Sequence, residues 1–147
     1  MSNHQTVNEI LVRLFANVLD IEEKCLKTGE FSDLSINEMH VIDNIGINRE
    51  KTMSDTARDL RITSGTLTTA VDNLIKKGYV VRERSVEDRR VVKIRLTEKG
   101  TAAYFAHENF HKDLVLSALQ KLNKEEEELL IKVLSNIDVF FHNKYKF

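Results

Sequence analysis

Three groups of side chains in this sequence have the types and spacing to do chemistry. The first is a run of small polar residues, Thr63, Ser64, Gly65, Thr66, Thr68 and Thr69, continued by Asn73 and Lys76. Small hydroxyls and an amide near a helix N-terminus can approach phosphates and base edges without filling a groove. Threonine is a middling helix former, so four of them between positions 63 and 69 is an odd choice for an idle surface. The second group is Arg82, Arg84, Arg89 and Arg90 around the short polar tip Ser85-Val86-Glu87-Asp88-Arg89. An arginine on such a tip can enter a narrow minor groove, where the negative potential is enhanced. Asp88 would repel phosphate, so its expected role is to pair with and aim a neighbouring guanidinium. The third group is His107 and His111, four residues apart and therefore on one helix face, where both imidazoles could share a metal ion such as zinc. His40, with Glu38, Glu108 or Cys25, could complete four ligands. A buried histidine satisfied by a carboxylate would leave the same pattern.

Other chemistry finds little support. Glycine-rich phosphate loops and a nucleophile elbow are both missing, and the carboxylates sit at helix starts and on solvated faces, so no enzyme is expected. Cys25 is the only cysteine, which excludes an internal disulfide and suits a reducing, cytoplasmic setting. Glu22 and Glu23 beside it oppose the lowered pKa that a thiol-oxidation sensor needs, so it reads as an inert thiol.

The elements that must position these groups follow from periodicity and caps. Val7, Ile10, Leu11, Leu14, Phe15, Val18 and Ile21 recur at three- and four-residue steps and predict a long amphipathic helix from about Gln5 to Lys27. Ser35-Ile36-Asn37-Glu38 is a capping box opening a second helix that stops at Gly46. Thr52 opens a short third helix to about Leu60, and Thr63 or Ser64 caps a fourth that ends at Gly78. Leu67, Ala70, Val71 and Leu74 share its inward face, while Gly65, Thr69, Asp72 and Lys76 lie opposite. Alternation then takes over around Tyr79 and Val81 and again at Val92, Ile94 and Leu96, predicting a hairpin. Thr97 caps a fifth helix to about Lys121, and Asn123-Lys124-Glu125-Glu126 opens a last helix with Leu129, Leu130, Val133, Ile137, Phe140 and Phe141 as its stripe. The expected fold is mainly α with a small β-hairpin wing on a helix-turn-helix core.

Length, breakers and charge agree with this. The 147 residues suit one domain, and the absence of proline with only five glycines points to helix. No apolar run approaches the roughly 20 residues of a spanning helix, and Met1 to Glu9 is too polar for a secretory leader, so no membrane association is expected. The formal charge of −1 hides a division: residues 49–99 carry +5 and the remainder −6. A basic centre between acidic flanks suits a polyanionic partner at the centre.

From Ser54 to Gly100 the sequence resembles the winged-helix core of the multiple-antibiotic-resistance regulator (MarR) family. Asp88-Arg89-Arg90, then Val91 through Leu96, then Thr97-Glu98-Lys99-Gly100 is similar to that family's wing and its exit into the next helix. The order of one long helix, the winged core and two long terminal helices is similar as well. The resemblance implies a single domain over residues 1–147, with dimerisation helices at 1–30 and 101–147 and a DNA-binding core at 31–100. It implies a homodimer on a palindromic double-stranded operator, with the two fourth helices in successive major grooves.

Val18 through Glu23, Ser35 through Gly46, Arg84 through Val91 and His107 through Lys112 look most like the fatty-acid-synthesis repressors of Gram-positive bacteria. That branch implies long-chain acyl groups on acyl carrier protein as co-repressor, with no required cofactor. An apolar effector site would then lie near Phe15, Met39, Ala103 and Phe110. Zinc-uptake repressors of the same family place ligands on the helices that carry His40, His107 and His111, which keeps zinc as the alternative effector.

Overall fold

In the computed structural model, which describes residues 1–146, nearly every helix begins where a short polar side chain can receive its first free N–H groups. Helix α1 (Asn3–Thr28) starts two residues before the expected position, because Ser2 and Gln5 form a capping box. Ser35 and Glu38 do the same for α2 (Ile36–Ile45), which ends at Gly46 with φ 75°. Thr52 caps α3 (Met53–Leu60), and Thr63 rather than Ser64 caps α4 (Ser64–Lys76). Strands β2 (Val80–Arg84) and β3 (Val92–Leu96) make the hairpin, followed by α5 (Glu98–Leu119) and α6 (Lys124–Tyr145). Asn123 and Glu126 form the capping box of α6.

One element was not expected. Lys51–Thr52 forms a short strand β1, which pairs antiparallel with β3 through Lys51 opposite Ile94 and Thr52 opposite Lys93. The sheet order is therefore β1-β3-β2. Two residues carry no periodicity, so only the neighbouring strand could reveal this one.

Two compact units result, residues 1–108 and residues from Asn109 onward. The first holds the core. Met39, Val41, Ile42 and Ile45 of α2 are buried with Leu67, Val71 and Leu74 of α4, Tyr79, Val80, Ile94 and Ala103. The face of α4 that is polar in sequence is thus turned outward by the burial of the other. Along α1 the same unit leaves Val7, Ile10, Leu14, Phe15, Leu19 and Ile21 exposed. In the second unit no residue of α6 is buried, and Leu129, Val133, Leu134, Phe140 and Phe141 are all exposed.

The passage from wing to α5 is held by close backbone contact. Thr97 donates its hydroxyl hydrogen to the Gly78 carbonyl at 2.6 Å and accepts from the Gly100 N–H at 3.1 Å. Gly100 approaches Tyr79 so nearly that a Cβ there would overlap the Tyr79 carbonyl oxygen. Helix propensity alone would make Gly100→Ala stabilising by up to about 1 kcal/mol. The overlap reverses the sign, and we expect Gly100→Ala to lower stability by about 1–3 kcal/mol, read as a lower urea midpoint.

Candidate nucleic-acid interface

Helix α4 has one outward face, and over its first two turns the side chains there are small. Gly65, Thr66, Thr68, Thr69 and Lys76 are exposed there, and Asp72 and Asn73 are half-buried. A Cβ added at Gly65 would meet nothing within 4 Å, so the fold leaves that space open. The hydroxyls are more committed than their sequence pattern suggests. Thr68 donates to the Ser64 carbonyl at 2.8 Å and Thr69 to the Gly65 carbonyl at 3.1 Å. Thr63 and Thr66 share a hydroxyl–hydroxyl bond of 2.8 Å, and Thr63 also accepts the Thr66 N–H at 3.1 Å.

The wing arginines divide in the same way. Asp88 accepts from Arg90 Nε and Nη2, each at 3.1 Å, and from the Arg90 N–H at 3.0 Å. These bonds hold the Asp88 carboxyl below its usual pKa. Arg82 reaches back to Asp72 of α4 at 2.7 Å and fixes the angle between strand and helix. Arg84 and Arg89 make no ion pair among the described residues, and both are exposed. Two cations are thus free to meet a polyanion, and two are spent on aiming the wing. The tip itself is closed by Ser85 N–H to the Val91 carbonyl at 2.8 Å and Val91 N–H to the Asp88 carbonyl at 2.9 Å.

Between wing and helices lies an open cleft of about 820 Å³. Thr52 to Asp55 at the start of α3, Thr68 of α4, and Arg82, Glu83, Arg84 and Arg90 of the wing line it. Ser54 and the first turn of α3 are interface candidates that sequence reasoning passed over. Their only signal was the Thr52 cap, which aims the helix start into this cleft.

Comparison with known proteins converges on one family. Residues 34–92 match the MarR family profile. Over 96% of this chain and 99% of the other, the fold superposes on Streptococcus pneumoniae FabT in its complex with DNA, with 42% identity and a TM-score of 0.89. The chain belongs to the MarR family of DNA-binding transcriptional regulators. The Bacillus subtilis transcriptional repressor YetL is 26% identical over 84 residues, a match spanning 57% of this chain and 50% of YetL. SarZ of Staphylococcus haemolyticus is 32% identical over 93 residues, 63% of each chain. The Staphylococcus aureus MepR–DNA complex, at 20% identity and a TM-score of 0.69, shares the fold.

A second cluster of titratable groups is buried in the first unit, away from α4. His107 of α5 is buried between two carboxylates. Its Nε2 contacts Glu22 of α1, and its Nδ1 lies 2.5 Å from Asp43 of α2. His40 stands 3.6 Å from the same Glu22 oxygen, with its ring 6.2 Å from that of His107. Glu22 was missed as a partner: the α1 stripe pointed to Ile21, which is exposed, whereas Glu22 beside it is the buried residue of the helix. The other expected ligands are elsewhere. Glu38 is engaged by Lys77 at 2.7 Å and by its own cap, and Cys25 is exposed. His111, by contrast, follows His107 by one turn on the same face of α5, with its ring edge-on to Phe110 at 5.2 Å. Of the four expected effector-site residues, Met39 and Ala103 are fully buried core, whereas Phe15 is exposed and Phe110 half-buried in the second unit.

Burial alone would lower the His107 pKa, but the Asp43 and Glu22 contacts outweigh it and raise the value above the ordinary 6.5. A raised folded value stabilises the fold fully below the unfolded pKa and ceases to do so as pH rises through the folded one. The stability advantage of wild type over His107→Gln should therefore be largest near pH 6 and shrink toward pH 9. Thermal melts at the two pH values measure it, and an advantage that grew on the alkaline side would contradict the assignment.

Proposed function

We propose that this protein is a homodimeric repressor that lays α4 in the major groove of a palindromic operator and reaches the flanking minor groove with Arg84 and Arg89. The observation that carries this reading is the combination of a small-residue outward face on α4 with two unpaired arginines on the adjoining wing. Thr63, Ser64, Gly65, Thr66, Thr68, Thr69, Asn73 and Lys76 then form the helix side of the interface. Arg90 acts mainly by holding the tip with Asp88, and its side chain, 91% exposed, remains within reach of a phosphate. Likeness to a FabT that was captured on DNA supports the mode of binding.

A second copy of the chain is the natural cover for the exposed apolar faces of α1 and α6. In a twofold dimer the two α4 helices would stand about one turn of DNA apart.

The regulated genes are proposed to be those of fatty-acid biosynthesis, with long-chain acyl groups on acyl carrier protein as co-repressor. This rests on the resemblance of the α1, α2 and wing segments to that branch, and the 42% identity to FabT supports it. Zinc is the weaker reading. Glu22, His40, His107 and His111 supply suitable donor types, but both His107 nitrogens face carboxylates, an arrangement that suits a protonated ring rather than a metal ligand.

A single titration separates these readings. The protein is added to a palindromic duplex from upstream of its own gene, alone, with zinc, or with long-chain acyl carrier protein. Tightening with the acyl carrier alone supports the lipid role; tightening with zinc alone, lost in His107→Ala, overturns it. In the same assay Arg89→Ala should weaken binding several-fold and flatten the salt dependence by roughly two counterions per dimer. Unchanged affinity and slope would remove Arg89 from the interface.

A further inference from the structure

The hydrogen bonds of α4 determine what its outward face can read. The centre of that face is Thr69, with Gly65 one turn before it and Lys76 two turns after; Asp72, the residue between, is held by Arg82. A threonine hydroxyl has one hydrogen to give. Thr69 gives its hydrogen to the Gly65 carbonyl at 3.1 Å, inside the helix. What it offers outward is its γ-methyl and the lone pairs of the oxygen. Lone pairs repel phosphate oxygens and the acceptor-rich edge of guanine alike. A methyl has a counterpart in the major groove, the C5-methyl of thymine.

Gly65 completes the arrangement. Its backbone is ordinary helix rather than a positive-φ turn, so no conformational demand requires glycine, and alanine would favour the helix. Side chains on a helix lean toward its N-terminus, so the Thr69 side chain leans over the turn that Gly65 leaves bare, with open space of at least 4 Å around the missing Cβ. The result is a shallow notch with a methyl on one side and exposed backbone on the other.

We infer that Thr69 reads a thymine in each operator half-site through methyl–methyl contact, the base methyl seating in the notch that Gly65 leaves open. This rests on the DNA-binding reading above and adds the base that one position of the operator must carry. The hydroxyl serves by fixing the side-chain rotamer, so the methyl points outward rather than sampling three directions.

The test begins with a pool of random-sequence duplexes, from which the wild-type protein enriches its own site. Thymines of the enriched duplex are then replaced one at a time by deoxyuridine, which removes only the C5-methyl. At one thymine per half-site we expect wild-type affinity to fall about four-fold, and about fifteen-fold when both half-sites are changed. Thr69→Ser should already have lost this energy and should bind thymine and deoxyuridine duplexes equally. Thr69→Val, which keeps a methyl without the hydroxyl, should still discriminate between them. Retained discrimination in Thr69→Ser with loss in Thr69→Val would make the hydroxyl the reader and overturn the inference. So would a wild-type protein indifferent to deoxyuridine at every position. A pool that yields no enriched sequence would instead overturn the DNA-binding reading itself.

Discussion

The burial of α2 is the constraint on which the rest of the first unit depends. Met39, Val41, Ile42 and Ile45 are almost entirely withdrawn from solvent on a helix of only ten residues, so α3, α4 and β3 have to pack around it. Its polar residues are then fixed at set distances from everything functional. Glu38 meets Lys77 at the end of α4, the Asn44 amide oxygen accepts from Lys51 at 2.5 Å, and Asp43 meets His107. Lys51 goes on to Asp59 of α3, again at 2.5 Å. A displacement of α2 would be felt at both helices of the helix-turn-helix and at the buried histidine together. The unit is thereby connected by its geometry, since α2 touches α4 through Glu38 and Lys77, α3 through Asn44 and Lys51, and the buried histidine through Asp43.

Interface chemistry is decided by which polar groups are already occupied. Every arginine near the wing is attractive to DNA in isolation, yet Arg82 and Arg90 are engaged by Asp72 and Asp88. Exposed pairs of this kind contribute little stability, so their value lies in aim: they restrict the strand angle and the tip while Arg84 and Arg89 stay available. The threonines follow the same logic. The hydroxyl hydrogens of Thr68 and Thr69 are taken up by carbonyls one turn back, which leaves their methyls and lone pairs as what that part of the face can offer.

The long helices obey a different balance. Alternating burial gives α4 one inward face, but α1 carries a single buried residue, Glu22, and α6 none. Apolar stripes of that extent on an isolated chain are unusual, and they are the part of the molecule that association with another copy explains most directly. The acidic flanks in sequence belong mostly to these helices, so the surface that would pair with a partner and the surface that would meet DNA are separated by charge as well as by fold.

What the sequence determined by itself was local. Ser35 with Glu38, Thr52, Thr63 and Asn123 with Glu126 place four helix starts because a cap is an interaction across three residues. The stripe of α4 and the alternation of Ile94 and Leu96 in β3 announce their own buried faces, and with them the winged-helix arrangement; in β2 the expected alternation failed, because Val80 rather than Val81 is buried beside Tyr79. Three-dimensional packing decided the rest. Strand β1 exists only because Ile94 and Lys93 lie opposite it, 41 and more residues away. Met39 and Ala103 became core rather than ligand lining, since nothing in an apolar side chain's sequence position says whether its neighbours leave a gap. Glu22 found His107 across 85 residues, and Glu38 turned to Lys77 instead of the histidines. Caps and periodicity are written in adjacent residues; a charge chooses its partner only after the chain has brought distant candidates within a few ångströms.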